Sequence, residues 1–552
     1  MSDGLSLRIV AVNLKHRLRP GSVQKKPQQS LSHQPQSPRS GEAQREPAAH
    51  GALWLYSAIV FFGFAIWTWW GVVAVLLLQL GANYSINELF SLIAIAGLAG
   101  GSLRITIGFL FAPGDSHLAI LLGVMLLILP TVGLSLALQP DTPLWVLQLL
   151  ALITGLGGGC FSAFVAAVSD LFPGNQRETA LGFGTGLGHL GLAAGHIILP
   201  LIAACQIWSA FGVEPAITAL EASTLLGGRS AGQDLWTQPL GYICLLGLLP
   251  LTVMVWLTVG RCASTRSTGW WGALARMSYA VFIGLTVSAL GLWLILPVSA
   301  NGSGLELSRE LILALVVIVT LMLLRVIPGE TRAHCQSYNL LNNKHTWSIS
   351  VLCMMTLGSF LGFSAIFPLM LHLVFGYSHS AGLHLPNTNA PGVFTYAWMG
   401  PLFGVLMRPI GGWAAWRFGG ARVTQTCAVV LMLSSGGIAW YLSLAYNSAQ
   451  PEQYFLPFLL LFLTLFAAAG AGYASVLHSG LKLFPPGQGV QISIWMTAMA
   501  AFGVFYIPDL VGEQFTRDTP QQAMIGFALF YGGCLLLNSW LYLRRSSAFY
   551  NN

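Results

Sequence analysis

Fourteen apolar runs, each close to the ~20 residues that carry a helix across a bilayer, limit what this chain can become. They lie near 52–79, 87–111, 118–138, 144–171, 179–205, 239–260, 271–298, 307–327, 346–376, 392–417, 421–446, 454–483, 490–512 and 522–544. In hydrocarbon, backbone N–H and C=O groups must be satisfied within the chain, so runs of this length form helices. Only 8% of the 552 residues are charged, against about 25% in a soluble domain. The expected fold is all-α and polytopic, embedded in the lipid bilayer.

The formal net charge of +7 does not point to nucleic acid. Basic residues gather in the N-terminal tail and in alternate loops, as the positive-inside rule requires. With the N-terminus inside, Arg177, Arg261, Arg276, Arg325, Arg422 and Arg544 fall on the cytoplasmic side. Only Arg229, Arg309 and Arg517 fall outside, with acids such as Glu310, Asp509 and Glu513. The expected location is the cell inner membrane, multi-pass, with both termini cytoplasmic.

Residues 1–50 differ in kind. They are rich in Gln, Pro, Ser and charge, too polar to bury a core, and lack the apolar stretch of a signal peptide. A disordered cytoplasmic tail is expected there. The runs then group as six, two and six: an N-terminal bundle over 51–262, an inserted two-helix segment with linkers over 263–343, and a C-terminal bundle over 344–552. The eight cysteines are scattered without a CxxC pair and read as small core residues. No metal and no cofactor is expected.

Two residues break the apolar pattern. Arg104 and Arg408 sit deep in the runs "GGSLRITIGFLF" and "GPLFGVLMRPIGGW", with no carboxylate at matching depth. An ionisable residue at bilayer depth costs roughly 2.5–3.5 kcal/mol on insertion scales and is a functional candidate by default. Each arginine occupies the second helix of its bundle. Pseudo-symmetric transporter halves place their substrate site near the midplane, where they meet. The structural alternative is an arginine satisfied by helix carbonyls or snorkelling to the interface. Arg417 and Arg422 lie in the following loop and read as an anchor or gating contact. Glycine is dense at 155–164 and 182–200, which lets membrane helices approach closely or exposes backbone to a substrate.

Several stretches carry a resemblance. "SLRITIGF", "GFGTGLGHLGLAAGHIILPLI", "GSFLGFSAIFPLM" at 358–370, "GPLFGVLMRPIGGWAAWRFGGARVT" at 400–424 and "AAFGVFYIPDLVG" are similar to motifs of the nitrate/nitrite porter family of the major facilitator superfamily. The likeness runs from about 54 to 544, excluding the inserted pair. It implies the major facilitator fold and carries the family's paired arginines onto Arg104 and Arg408, and its clamping aromatic onto Phe161. It adds Gly188 and Ser359, within the glycine-rich fifth-helix and GSF motifs, to the expected substrate site.

The departures are specific. Asparagines usual in the fourth, fifth and tenth helices of the family are replaced by Cys160, His189 and Tyr473. Cys353 and Leu357 stand at aromatic positions, and Trp416 stands for a loop aspartate. Histidine as a residue type can titrate near neutral pH, so His189 is expected either to contact the anion or to link transport to protons; a neutral histidine bonded within the bundle is the bland alternative, as for His478. Asp170 is expected at a cytoplasmic interface.

The resemblance implies a monomeric secondary transporter, not an enzyme, that carries nitrate or nitrite by exchange or proton-linked uptake. A transporter of another small oxyanion or carboxylate, a membrane redox subunit and an anion sensor are the competing expectations.

Overall fold

The computed structural model describes residues 40–111, 116–139, 141–172, 176–213, 215, 236–262, 269–296, 302–326, 338–380, 383–545, 547 and 550–551. The tail expected over 1–50 lies outside these residues up to 39; the first helix begins at Ser40.

Among the described residues the regular structure is helical, apart from one short hairpin at 377–386. The N-terminal half holds α1 (Ser40–Thr68, resuming as Trp70–Gln79), α2 (Ile86–Leu110), α3 (Ser116–Ala137), α4 (Leu144–Leu171), α5 (Gln176–Ala203) and α6 (Pro239–Cys262). The inserted pair is α7 (Gly269–Ile295) and α8 (Arg309–Arg325). The C-terminal half holds α9, α10 (Met399–Phe418), α11 (Gly420–Tyr446), α12 (Phe455–Leu483), α13 (Gly489–Ala501, resuming as Gly503–Thr516) and α14 (Pro520–Asn538). Within α9, Lys344–Cys353 and Ser359–Phe375 are joined by a π turn, Met354–Gly358.

Twelve described helices are long and apolar enough to cross a membrane. Two of the fourteen expected spans fall short of that standard. α8 has 17 residues, and α10 is diluted by Arg408, Arg417, Pro401 and Pro409.

Side-chain chemistry sets the helix ends. Ser85 opens α2 with a capping box: its hydroxyl accepts from the Glu88 N–H, and the Glu88 carboxylate accepts from the Ser85 N–H. Such caps satisfy N–H groups that lack an intrahelical acceptor.

The two halves repeat one packing scheme. In the first, α2 packs on α4, and α3 on α4 and α6; in the second, α10 packs on α12, and α11 on α12 and α14. The second, third, fourth and sixth helices of each half thus make corresponding pairs. Between halves, α1 meets α9, α2 meets α13 and α5 meets α10.

Glycine makes these crossings possible. A Cβ at Gly71 would overlap the Ala365 carbonyl oxygen, and one at Gly97 would overlap the Val504 backbone. Small residues at such points let helix backbones touch, which drives association where lipid removes the hydrophobic contrast.

Candidate functional site

Arg104 and Arg408 lie on matching second helices, α2 and α10. Arg104 is fully buried and Arg408 is 7% exposed. Arg104 Nε donates to the Gly158 carbonyl at 2.8 Å, and Nη1 to the Thr497 carbonyl at 3.0 Å. Part of its charge is therefore met by helix carbonyls, one from each half, while Nη2 has no protein acceptor. For Arg408 all three guanidinium nitrogens are buried without one. Among the described residues neither arginine is in an ion pair.

Aromatic rings enclose both cations. The Arg104 guanidinium carbon lies 4.7 Å from the Phe161 ring centre, 5.1 Å from Trp67 and 5.4 Å from Phe64. That of Arg408 lies 4.8 Å from Phe360 and 4.9 Å from Tyr473. Desolvated cation–π contacts contribute up to about 2 kcal/mol each, which offsets part of the cost of burying the charge but supplies no hydrogen-bond acceptor.

His189 joins the two cages. Its ring stacks on Phe64 at 4.3 Å and meets Phe161 at 5.8 Å, both beside Arg104. On its other side it meets Phe360 at 5.9 Å and Tyr473 at 6.3 Å, both beside Arg408. The two arginines thus border one connected cluster of rings, and Tyr473 and Cys353 stand within electrostatic reach of both. His189 Nδ1 lies 2.5 Å from the Thr185 carbonyl oxygen. That short contact commits Nδ1 as the N–H donor and leaves Nε2, buried and without a partner, for the cluster's chemistry.

The glycine run in α4 has a definite task here. A Cβ at Gly158 would meet Trp67 at 2.9 Å and the Gly100 Cα at 3.0 Å. Without side chains at 158 and 100, α4 lies close enough for its carbonyl to receive Arg104. The exposed backbone meets the arginine itself, a role distinct from lining a substrate path.

Of the residues expected at the site, Arg104, Arg408, Phe161, His189 and Tyr473 converge. Gly188 and Ser359, each next in sequence to a cage residue, have other contacts as well. Gly188 forms a crossing with α1, where a Cβ would meet Val60 at 2.7 Å. The Ser359 hydroxyl shares a hydrogen bond with the Tyr531 hydroxyl at 2.8 Å, tying α9 to α14. Cys160 packs against Gly123, and His478 lies near Lys482 and Glu178. Asp170 accepts a hydrogen bond from Ser116 at 2.9 Å. Arg422 donates to the Tyr550 hydroxyl at 3.1 Å; that contact holds the exposed Tyr550 phenol below its usual pKa.

Sequence reasoning missed Phe64, Trp67 and Phe360. Phe360 directly follows Ser359, and the aromatic cluster "FAIWTWW" in α1 was the available signal for the others. The π turn that sets Phe360 over Arg408 has no comparable sequence mark; such turns are frequent at functional sites.

A sequence model described as Major Facilitator Superfamily matches residues 5–196. The "Probable nitrate/nitrite antiporter NarK2" of Thermus thermophilus is 30% identical over 513 residues, covering 91% of this chain and 94% of that protein. The chain belongs to the nitrate/nitrite porter family of the major facilitator superfamily. The "Nitrate/nitrite transporter NarU" of Salmonella typhimurium is 26% identical over 534 residues, covering 93% and 95%. Among solved structures, a POT family transporter in complex with 5-aminolevulinic acid superposes with a TM-score of 0.53 at 15% identity, covering 88% of this chain and 95% of that one. At that identity the likeness concerns the fold alone. As a member of the porter family the chain is a multi-pass membrane transporter and not an enzyme.

Proposed function

We propose that this protein exchanges nitrate and nitrite across the inner membrane by alternating access, with both termini cytoplasmic and the anion held between Arg104 and Arg408. The observation that carries this reading is Arg408: three buried guanidinium nitrogens with no protein acceptor, in the ring cluster that also encloses Arg104. Guanidinium is planar, permanently charged and forked. A trigonal oxyanion offers in-plane acceptors to such forks from two sides, and charge-assisted bonds of this kind are the strong ones. Nitrate and nitrite fit because both are small, planar and singly charged.

Exchange follows from the electrostatics. The empty carrier buries two cations, Arg408 without an acceptor and Arg104 only partly bonded, and burying an unpaired charge costs several kcal/mol. A bound anion lowers that cost and lets the halves close over the site. Preloading vesicles with nitrite should therefore raise nitrate uptake at least about tenfold over empty vesicles. Equal rates would exclude obligate exchange.

His189 decides whether a proton travels too. With Nδ1–H bonded to Thr185, a neutral ring turns a lone pair, not a donor, toward an anion. The charged or titratable groups around it are Arg104, Arg408, Tyr473 and Cys353. A bound anion offsets the two guanidinium charges and gives a protonated Nε2 something to bond. Uptake by the parent protein should then rise as the medium is acidified through the range in which transport is measured. His189→Asn should transport with a flat profile over that range. An unchanged profile would remove histidine from coupling.

The second substrate reading is a small carboxylate. It is motivated by His189, Tyr473 and Cys353 around the arginines, and competition by formate or acetate against nitrate uptake tests it.

A further inference from the structure

The inserted helices contact both halves, α7 at the depth of Arg104 and α8 at the end that carries the α1–α2 connection. α7 is fastened to the N-terminal half along the back of the arginine-bearing helix. Ser288 donates to Ser102 at 3.0 Å, and Gly284 lets Leu103 approach within contact of the α7 backbone. Both partners lie within two residues of Arg104.

α8 packs on α7 and α2 and reaches the C-terminal half through side chains at its start. Arg309 Nε donates to Asp509 at 2.8 Å, and its Nη2 also reaches Glu513. Tyr506 donates to Glu310 at 2.8 Å. Residues 506, 509 and 513 follow the three-and-four spacing that puts them on one face of α13. Arg309 is 15% exposed and its two acids 22% and 32%, so these pairs are screened less than free surface pairs.

Between the two attachments runs the seam where α2 meets α13. Phe90 stacks on Phe515 at 5.8 Å, and Gly512 lies against Phe90. A cavity of about 590 Å³ lies alongside, reached by Ser91 of α2 and lined by Arg309, Asp509 and Glu513. For a substrate to leave by this end, α2 and α13 must part. α7 and α8 both pack on α2 while Arg309 reaches α13, so parting must break the Arg309 contacts.

We propose that the inserted pair is a strap across this gate, with Arg309 as its clasp on Asp509 and Glu513. It holds this end closed until the halves rock. This rests on the alternating-access reading, but not on which anion is carried. An appendage packed on one half would make no ion pairs with the other. In the strap, the clasp sets the balance between the closed and open states, as interface ion pairs do in other rigid-body transitions.

The test is the maleimide labelling rate of Ser91→Cys in nanodiscs, in a background without reactive native cysteines. Arg309→Gln and the double variant Asp509→Asn/Glu513→Gln should each raise the rate at least about threefold. Combining all three changes should add little, since the cross-seam contacts they break are the same; the Arg517–Glu513 pair that the acid variant also loses lies at one end of α13 and does not cross the seam. Arg309→Lys, which keeps the charge and preserves folding should glutamine not be tolerated, should raise it less. Unchanged labelling in both Arg309→Gln and the double acid variant would overturn the strap. Labelling is read without substrate, so this outcome is separate from the anion assignment. If saturating nitrate and nitrite leave the parent's rate unaltered while Arg309→Gln raises it, the strap stands and the substrate reading fails.

Discussion

Arg408→Lys should lower nitrate and nitrite flux at least about 100-fold while the protein stays folded. Hydrogen bonds to charged groups contribute about 1.5–3 kcal/mol, and 1.4 kcal/mol is a factor of ten. Lysine keeps the charge but replaces a planar fork with a point donor, so both in-plane bonds cannot be kept. Arg408→Met extends the argument. The wild-type guanidinium is buried without a protein acceptor; even buried ion pairs replaced by apolar side chains of similar volume leave stability unchanged or raise it by about 1–4 kcal/mol, and an unpaired charge costs more to bury than a paired one. Arg408→Met should therefore melt higher than the parent and transport nothing. Arg104→Met should gain less, because Arg104 gives up bonds to the Gly158 and Thr497 carbonyls. Equal stabilisation by the two substitutions would contradict this account of the site.

Gly470→Ala should be among the most damaging single-methyl changes. A Cβ at 470 would overlap the Gly404 carbonyl oxygen. Both atoms belong to helices, so no flexible side chain can yield. α10 and α12 would have to separate, and each carries part of the cage: Arg408 follows Gly404 by four residues, and Tyr473 follows Gly470 by three. Overpacking of this sort costs about 1–3 kcal/mol, occasionally more. A lower melting temperature and weakened nitrate binding are expected together. Gly436→Ala is the control, because a Cβ there meets nothing within 4 Å. Comparable losses in both variants would remove the link between this crossing and the site.

The contrast between what could be read from the chain and what could not has physical causes. Helices were legible because spanning a bilayer forces long apolar runs, and Arg104 and Arg408 because charge inside such a run is costly. The breaks at Trp69, at Met354–Gly358 and at Phe502 were not, since they interrupt hydrogen bonding without interrupting hydropathy. α10 was legible as a helix, but its arginines and prolines leave its apolar character weaker than its neighbours'. Phenylalanine is unremarkable in a membrane helix, so Phe64 and Phe360 gave no sign that they border a cation. His189 stood out because histidine is rare at that depth, and the fold makes it the ring between two cages. Ser359 looked functional by its place in a motif; packing gives its hydroxyl to Tyr531. The inserted pair was visible as two extra helices, whereas the grip of Arg309 on α13, 200 residues away, exists only in the folded chain.

The most direct test of the two-arginine site is labelled nitrate uptake into nitrite-loaded proteoliposomes by the parent protein, Arg104→Lys and Arg408→Lys. The site described here predicts rapid counterflow by the parent and near-background uptake by both variants at matched incorporation. Full uptake by both lysine variants would contradict it.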